Sequence, residues 1–286
     1  MVNKAHKNIS PEVHAEIMSR LSAVEQSRHV RVLFAVESGS RAWNMHSPNS
    51  DYDVRFIYVH EPSWYWSFKD GRDVIEDLDR EADIDLSGWE LRKAVRLMMK
   101  GNAVIQEWFR SDITYRTDTD FQREMLQLLS LIERRYALTN HFFNISKRIF
   151  RERVKDQPAP KLKAYLYTIR PLLQYLWVAN QPEQFDHQVI LPPISILQLV
   201  NENPVPDNVR QEILRLVEEK KAGSETSASL SRPILNSYIE DIIENPTGLN
   251  NKPSPAARLS KQAVQESDRF LTRWIMMETT SGSSPG

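Results

Sequence analysis

Two carboxylates interrupt a segment that is otherwise typical of a buried strand. Residues 51–60 are rich in β-branched and aromatic side chains, yet Asp51 and Asp53 fall beside Val54 and Phe56. Residues i and i+2 of a strand point to the same face, so the two carboxylates can act on one ligand. A solvated strand edge would also carry an Asp-x-Asp pair, but unpaired carboxylates are rarely kept in core-forming strands. We therefore expect Asp51 and Asp53 to belong to a functional site.

A second strand and a Gly-Ser turn precede this pair. The apolar run at residues 30–36 predicts a buried strand that ends at Gly39-Ser40, where glycine permits a tight turn. Such a turn lets backbone amides and a hydroxyl approach phosphate oxygens. Arg41 and Arg55 flank the turn and the carboxylates, and a guanidinium matches phosphate with two parallel hydrogen bonds. A plain turn is the alternative for Gly-Ser alone, but the combination favours phosphate binding.

A third carboxylate follows about thirty residues later in the sequence. Residues 82–86 are predicted as the last strand of the sheet, and Asp83 and Asp85 share one of its faces. The segment from Ser87 to Glu90 matches a capping box, which places a helix start there and Asp85 at the strand-to-helix corner. We prefer Asp85 as the third acid because it is nearer to that corner, and Asp83 remains the alternative.

Three clustered carboxylates are hard oxygen ligands of the kind that Mg²⁺ prefers, and Mg²⁺ completes its shell with water or phosphate oxygens. Asp51, Asp53 and Asp85 therefore predict a site for two Mg²⁺ ions, with Mn²⁺ as the alternative. In such a site one ion activates an attacking hydroxyl while the other holds a triphosphate.

Composition excludes several other classes of protein. The chain has 286 residues and no cysteine, which excludes disulfides and thiolate chemistry, and its seven histidines lack ligand spacing. The net charge of −1 means that affinity for nucleic acid would come from local basic clusters. No segment approaches the roughly 20 apolar residues of a membrane span. No apolar stretch follows the basic N-terminus, so we expect a cytoplasmic protein rather than a membrane or secreted one.

The pattern of elements predicts an α+β organisation. A helix is expected at residues 11–28, and residues 69–81 are predicted to form a hairpin of short strands. Strand signals fade after about residue 120, and apolar residues at helical spacing predict helices at 120–137, 139–154, 161–179, 193–201, 207–221, 232–244 and 256–277. We predict a small mixed-sheet domain at 1–118, an all-helical domain at 119–279 and a disordered tail at 280–286.

Four strings of this sequence resemble a known family. The chain is similar to the polymerase-β-type nucleotidyltransferase superfamily, and most similar to the RNA repair pathway DNA polymerase beta family of bacteria and phages. The strings that carry the likeness are Glu37 to Trp43, Ser50 to Tyr58, Asp83 to Lys93 and Lys163 to Leu173. Lys100-Gly-Asn102 with Glu107-Trp108 adds to the likeness, which covers roughly residues 30 to 178. Ser38 and Asn44 depart from the usual pattern.

The resemblance implies a nucleotidyltransferase domain followed by helices. It implies Asp51, Asp53 and Asp85 as metal ligands and Gly39-Ser40 at the triphosphate. The further nucleotide-binding residues are Arg41, Ser50 and Arg55, together with Lys163, Tyr165 and Arg170, which would approach the nucleotide from the helical side.

The function that follows is a metal-dependent transfer. A nucleoside monophosphate would pass from an NTP to the hydroxyl of an RNA end, a protein or a small molecule, with release of pyrophosphate. One alternative is a catalytically silent module that binds nucleotide or RNA on the same fold. A metal-dependent phosphohydrolase is another. The sequence selects neither the acceptor nor the oligomeric state.

Overall fold

A computed structural model describes residues 9–69, 71–79, 83–223, 231–249 and 259–277. The strands are β1 (Val30–Glu37), β2 (Tyr52–His60), β3 (Val74–Asp79), β4 (Ile84–Glu90) and β5 (Thr114–Thr117). The helices are α1 (Pro11–Arg28), α2 (Gly39–Ala42), α3 (Pro62–Tyr65), α4 (Leu91–Met99), α5 (Ala103–Arg110), α6 (Thr119–Gln127), α7 (Arg135–Arg153), α8 (Leu162–Ala179), α9 (Ile196–Glu202), α10 (Asp207–Lys221), α11 (Pro233–Glu244) and α12 (Lys261–Met276). In these ranges none of the helices has the length and apolar character that a membrane span requires. The predicted tail, residues 280–286, lies outside them.

The five strands form one mixed sheet in the order β3-β4-β2-β1-β5. Strands β2 and β4 are parallel, and the other neighbours are antiparallel. Parallel neighbours start at the same edge of a sheet, and the register sets Asp53 opposite Asp85. This mixed sheet with its helices confirms the predicted α+β class.

The predicted capping box is wrong. Ser87 and Glu90 belong to β4, which runs directly into α4 at Leu91. The helix is capped instead by the Glu90 carboxylate, which accepts hydrogen bonds from the amides of Arg92 at 2.8 Å and Lys93 at 3.1 Å. An N-cap acceptor therefore exists, but it lies three residues later than the local signal indicates.

Packing explains why this segment is a strand. Burial alternates along the whole of β4, with Ile84, Leu86 and Gly88 among the buried positions. A Cβ on Gly88 would lie 2.1 Å from the Phe56 ring, so glycine is needed for the two strands to pack. Burial with a period of two favours a strand over the capping signal.

Three further expectations about the elements are wrong. The described part of the predicted hairpin at residues 69–81 contains one strand, β3, which pairs with β4. The sheet does not end at β4 in the sequence, because β5 pairs with β1 on the opposite side from β2. The helix predicted at 120–137 stops at Gln127, and a 3-10 turn and an extended Ile132 separate it from α7. Helix α5 (Ala103–Arg110) was not among the predicted helices.

Three apolar cores hold these elements together. One face of the sheet packs against α1, and the other packs against α4, α5, α6 and α12. A third core lies among α7, α8, α9, α10 and α11, with α8 at its centre. The boundary between residues 118 and 119 stays a prediction. However, α6 and α12 lie beyond it in the sequence and pack against the sheet through Phe121, Phe270 and Trp274.

Candidate active site

Carboxylates of two parallel strands meet at one edge of the sheet. Asp53 is the second residue of β2 and Asp85 the second residue of β4, and they are direct partners in the parallel register. Both side chains are about one-third exposed, whereas Asp51, immediately before β2, is exposed. Burial raises the pKa of Asp53, and the charges of Asp85 and Asp51 raise it further. The three acids are therefore close enough to repel one another.

Arg55 bridges the two strand carboxylates. Its Nη2 donates to Asp53 Oδ1 at 3.1 Å and to Asp85 Oδ2 at 2.8 Å. Its Nη1 donates to the carbonyl oxygens of Val54 at 3.0 Å and Asp85 at 3.1 Å. The guanidinium therefore lies on the carboxylates rather than apart from them, and it holds the pKa of Asp53 below the value that burial alone would give.

These contacts test whether the acids suit a divalent cation. Among the described residues, no three His, Asp or Glu side chains are already arranged to hold a metal ion. A cationic group nevertheless lies between Asp53 and Asp85 and contacts one oxygen of each. The donor set consists of carboxylate oxygens, which Mg²⁺ and Mn²⁺ prefer. Mutual repulsion among three acids, partly relieved by Arg55, fits a site for positive charge.

The Gly39 turn packs directly on Asp53. Gly39 has a φ of +59°, in the left-handed region, and a Cβ at this position would lie 1.9 Å from Asp53 Oδ2. The amide of Ser38 donates to the carbonyl oxygen of Asp53 at 2.8 Å. Ser40, the next residue, is buried at the start of α2. Glycine is required here for its backbone angle and for the space that the carboxylate takes.

Glu37 is a buried carboxyl group that contacts the backbone of Asp53. It is fully buried at the end of β1, and its Oε1 accepts a hydrogen bond from the Asp53 amide at 2.9 Å. Its Oε2 accepts one from the Tyr115 hydroxyl at 2.5 Å. Burial raises the pKa of Glu37 to about 7, although both hydrogen bonds oppose the shift. Sequence reasoning assigned Glu37 no role, and its only signal is a carboxylate at the end of an apolar strand.

Arg41 and Ser50, both predicted to bind nucleotide, shape the loop before β2. Arg41 Nη2 donates to the Ser50 carbonyl at 2.6 Å, and its Nε donates to the Asp51 carbonyl at 3.2 Å. The buried guanidinium also lies 3.8 Å above the Tyr52 ring. Ser50 Oγ accepts a hydrogen bond from the Ser47 amide at 2.9 Å. In this structure the two side chains hold the backbone that carries Asp51.

Helix α8 brings one of its three predicted residues near the acids. The positive charge of Lys163 lowers the pKa of Asp53, so its ammonium lies within electrostatic range of the cluster. Tyr165 points into the helical core, where its hydroxyl accepts a hydrogen bond from the Arg232 amide at 3.0 Å. Residues 163 and 167 lie about one turn apart on one face, and 165 lies across the helix. Tyr167, which sequence reasoning missed, is thus the tyrosine beside Lys163.

Arg170, the third residue predicted on α8, is committed to other contacts. Its Nη1 donates to Glu107 Oε1 at 2.9 Å, and its guanidinium lies 3.7 Å above the Trp43 ring. Gln174 also donates to Glu107 Oε1 at 2.9 Å, and the Tyr167 ring meets Trp43 edge-on. Since Trp43 directly follows α2, this group ties α8 and α5 to the Gly39 turn.

Asp85, rather than Asp83, lies beside Asp53. Asp83 is exposed in the turn before β4 with a φ of +52°, and its carbonyl accepts a hydrogen bond from the Tyr52 amide at 2.8 Å. The reason given for preferring Asp85 is wrong, because Asp85 lies at the start of its strand and not at the corner before a helix. The parallel pairing of β2 and β4 brings it to the cluster.

Comparison with known proteins now identifies the family. The model of the RNA repair pathway DNA polymerase beta family matches residues 13–273. The chain belongs to this family. A relative from Bacillus subtilis (strain 168), the uncharacterized protein YcgL, is 36% identical over 228 residues, which are 80% of this chain and 84% of the relative.

Among solved structures, the chain is similar to a nucleotidyltransferase-like protein from Exiguobacterium sibiricum 255-15, with 11% identity and a TM-score of 0.26. That match covers 93% of this chain and 96% of the other. The family match confirms the resemblance carried by the four strings and extends it beyond residue 178. Membership of the RNA repair pathway DNA polymerase beta family, with the α+β fold, indicates a polymerase-β-type nucleotidyltransferase.

Proposed function

We propose that this protein transfers a nucleoside monophosphate from an NTP to an acceptor hydroxyl and releases pyrophosphate. The acceptor is an RNA end, a protein side chain or a small molecule, and the name of the family favours the RNA end. The proposal rests on the chemistry of the acidic edge and on membership of the family.

The observation that carries the proposal is the contact between the Gly39 turn and Asp53. A Cβ on Gly39 would lie 1.9 Å from Asp53 Oδ2, so the turn predicted to hold phosphate touches the carboxylate predicted to hold metal. Asp85 lies opposite Asp53 in the same parallel pair. Phosphoryl transfer depends mainly on positioning and on neutralising charge, and this arrangement offers acidic and basic groups at one point.

Asp51, Asp53 and Asp85 would hold two Mg²⁺ ions, or Mn²⁺ in their place. Bound there, the ions would supply Lewis acidity toward the triphosphate and the acceptor hydroxyl. Two features support this assignment: the oxygen donor set, and the guanidinium of Arg55 that already lies between two of the acids. Magnesium shares its shell with substrate oxygens, so the carboxylates need not enclose it.

The remaining side chains bind, orient and neutralise. Lys163 places positive charge beside Asp53 and is suited to a triphosphate oxygen. Arg55 offsets part of the charge of Asp53 and Asp85 in the absence of substrate, and its guanidinium is suited to phosphate once those acids have another cation. Asp85 would orient the acceptor hydroxyl and accept its proton on a carboxylate oxygen.

A catalytically silent binding module is the second candidate, and Arg55 is the observation that favours it. A guanidinium paired with both Asp53 and Asp85 can neutralise them permanently, as a structural ion pair does. Clustered acids beside an anionic phosphate nevertheless weaken simple binding, because like charges repel. This repulsion is why we place transfer first.

The experiment measures which molecule receives the label of an α-labelled NTP. The protein is incubated with Mg²⁺, an α-labelled NTP, and either total RNA or a lysate fraction. Label on a macromolecule together with release of pyrophosphate supports transfer. Orthophosphate, or monophosphate without an acceptor, indicates a phosphohydrolase. Binding of an NTP in calorimetry without any released product indicates the silent module and contradicts the proposal.

A further inference from the structure

A basic cavity lies beside the loop that Arg41 supports. It has a volume of about 480 Å³ and opens between residues 44–48, α9 and the end of α10. Three of its lining side chains are basic, namely Arg41, His46 and Lys221. Among the described residues that line it, none is acidic. None of the three carboxylates of the candidate active site lines it either.

The positive charge in this cavity is compensated only in part, although the buried Glu37 interacts electrostatically with Arg41. Arg41 donates its Nε and Nη2 to backbone carbonyls, which are neutral acceptors. Lys221 has an ion pair with Glu218 at 3.1 Å, one helical turn away on the surface, and exposed pairs of this kind contribute little. Burial lowers the pKa of His46, and the charges of Arg41 and Lys221 lower it further. Two permanent cations, Arg41 and Lys221, therefore face this cavity, and His46 stays neutral beside them.

Arg41 and the neighbouring Asn44 are held in place before any ligand arrives. Arg41 is buried, with 5% of its surface exposed, and its contacts to the loop and to Tyr52 fix the guanidinium. Asn44 has a φ of +58°, and its side-chain amide donates to Ser195 Oγ at 3.1 Å. A site whose donors are fixed in advance loses less entropy on binding.

We propose that this cavity binds a phosphorylated small molecule through its phosphate dianion, independently of divalent metal. A phosphate dianion matches the two neighbouring cations Arg41 and Lys221 better than a carboxylate does, and a guanidinium meets it with parallel hydrogen bonds. The imidazole of His46 is uncharged at neutral pH and offers a further hydrogen-bond donor. The volume lies within the usual range for small-ligand sites, about 300–1,000 Å³. Asn44, Ser47 and Leu197 line the remainder and suit the part of the ligand that carries no charge.

The test measures binding to the whole protein by isothermal titration calorimetry, at low salt and with EDTA present. The probes are inorganic phosphate, pyrophosphate and AMP, so that free phosphate, a transfer product and a nucleotide are distinguished. We expect at least one probe to bind. We expect His46→Gln and Lys221→Ala each to weaken that binding about tenfold or more, since charge-assisted hydrogen bonds contribute about 1.5–3 kcal/mol.

Two control variants make the result specific. Arg215→Ala also removes a cation with an i,i+3 glutamate partner from α10, but Arg215 is absent from the cavity lining, so binding should be unchanged. Lys163→Ala removes the lysine beside Asp53 and should leave metal-free binding intact. The proposal is overturned if no probe binds at 10 mM, or if His46→Gln and Lys221→Ala both bind as the wild type does. Loss of binding in Lys163→Ala also overturns it, because the anion would then occupy the candidate active site.

Discussion

The Glu37→Gln variant measures how the buried carboxyl group of Glu37, next to the acidic cluster, affects stability. Glu37 has 0% of its surface exposed and accepts hydrogen bonds from the Asp53 amide and the Tyr115 hydroxyl. Glutamine preserves the shape of the side chain and cannot ionise. Its carbonyl oxygen can still accept from the Asp53 amide, and its amide can donate to the Tyr115 oxygen. The variant therefore mimics the protonated form of Glu37.

The size of the effect follows from the pKa. Burial raises the pKa of Glu37 from 4.5 to about 7, and at 1.36 kcal/mol per unit this difference corresponds to about 3 kcal/mol. The folded protein holds the proton more tightly than the unfolded chain does. The stabilising contribution is therefore complete below pH 4.5 and is lost as the pH rises through about 7.

Urea unfolding at a series of pH values from 4 to 8.5 measures this contribution. The free energy of unfolding of the wild type should fall relative to that of Glu37→Gln by about 3 kcal/mol across this range. Glu61→Gln, at an exposed position, should run parallel to the wild type. If the wild type and Glu37→Gln instead keep a constant difference at every pH, burial does not hold the proton on Glu37 and the reasoning is refuted.

Three other predictions follow from the site. Gly39→Ala should lower the free energy of unfolding by at least about 1–2 kcal/mol because of the left-handed φ at this position, and by more because the new Cβ would meet Asp53. A free energy of unfolding equal to that of the wild type in urea at pH 7 would contradict this. Arg55→Ala leaves two carboxylates without their cation, so Mg²⁺ should raise the Tm of this variant by about 2–4 °C more than it raises that of the wild type. An equal rise in Tm for both proteins would show that Arg55 does not take the place of a metal. Lys163→Ala should raise the KM for the NTP about tenfold, whereas Tyr165→Phe should leave KM unchanged and cost about 1 kcal/mol of stability. Equal KM values for these two variants in steady-state kinetics would remove Lys163 from the nucleotide site.

Local signals were sufficient for the elements that carry the site. The apolar runs around Gly39 and Asp53 predicted β1 and β2, and the helix at residues 11–28 has the predicted bounds. These features depend on residues close together in the chain. Local propensity and turn chemistry therefore determine them.

Features that depend on distant pairing were not predictable in the same way. Strand β5 has four residues and two threonines, and it forms only because the edge of β1 is available. Likewise Glu90 caps α4 because the whole of β4 is drawn into the sheet, which no pattern within residues 87–90 reveals.

The direction in which the side chains of α8 point was the main feature of the site that could not be predicted from the sequence. Lys163 and Tyr165 are two residues apart, so on a helix they face different directions. Which direction faces the acids depends on how α8 packs against α7 and on the core around Tyr165. Arg41 is a similar case, since the loop carbonyls of Ser50 and Asp51 lie close to it only after the chain folds.

The rate of pyrophosphate release in the two neighbouring variants Asp85→Asn and Asp83→Asn tests the central claim most directly. Both substitutions remove one negative charge, but only Asp85 lies opposite Asp53 and pairs with Arg55. With Mg²⁺, NTP and the acceptor found by labelling, Asp85→Asn should lower the rate about 10²-fold or more, as Asp53→Asn should. Asp83→Asn should retain most of it. Loss of release in Asp83→Asn with retention in Asp85→Asn would contradict the assignment of the acidic edge as the catalytic centre.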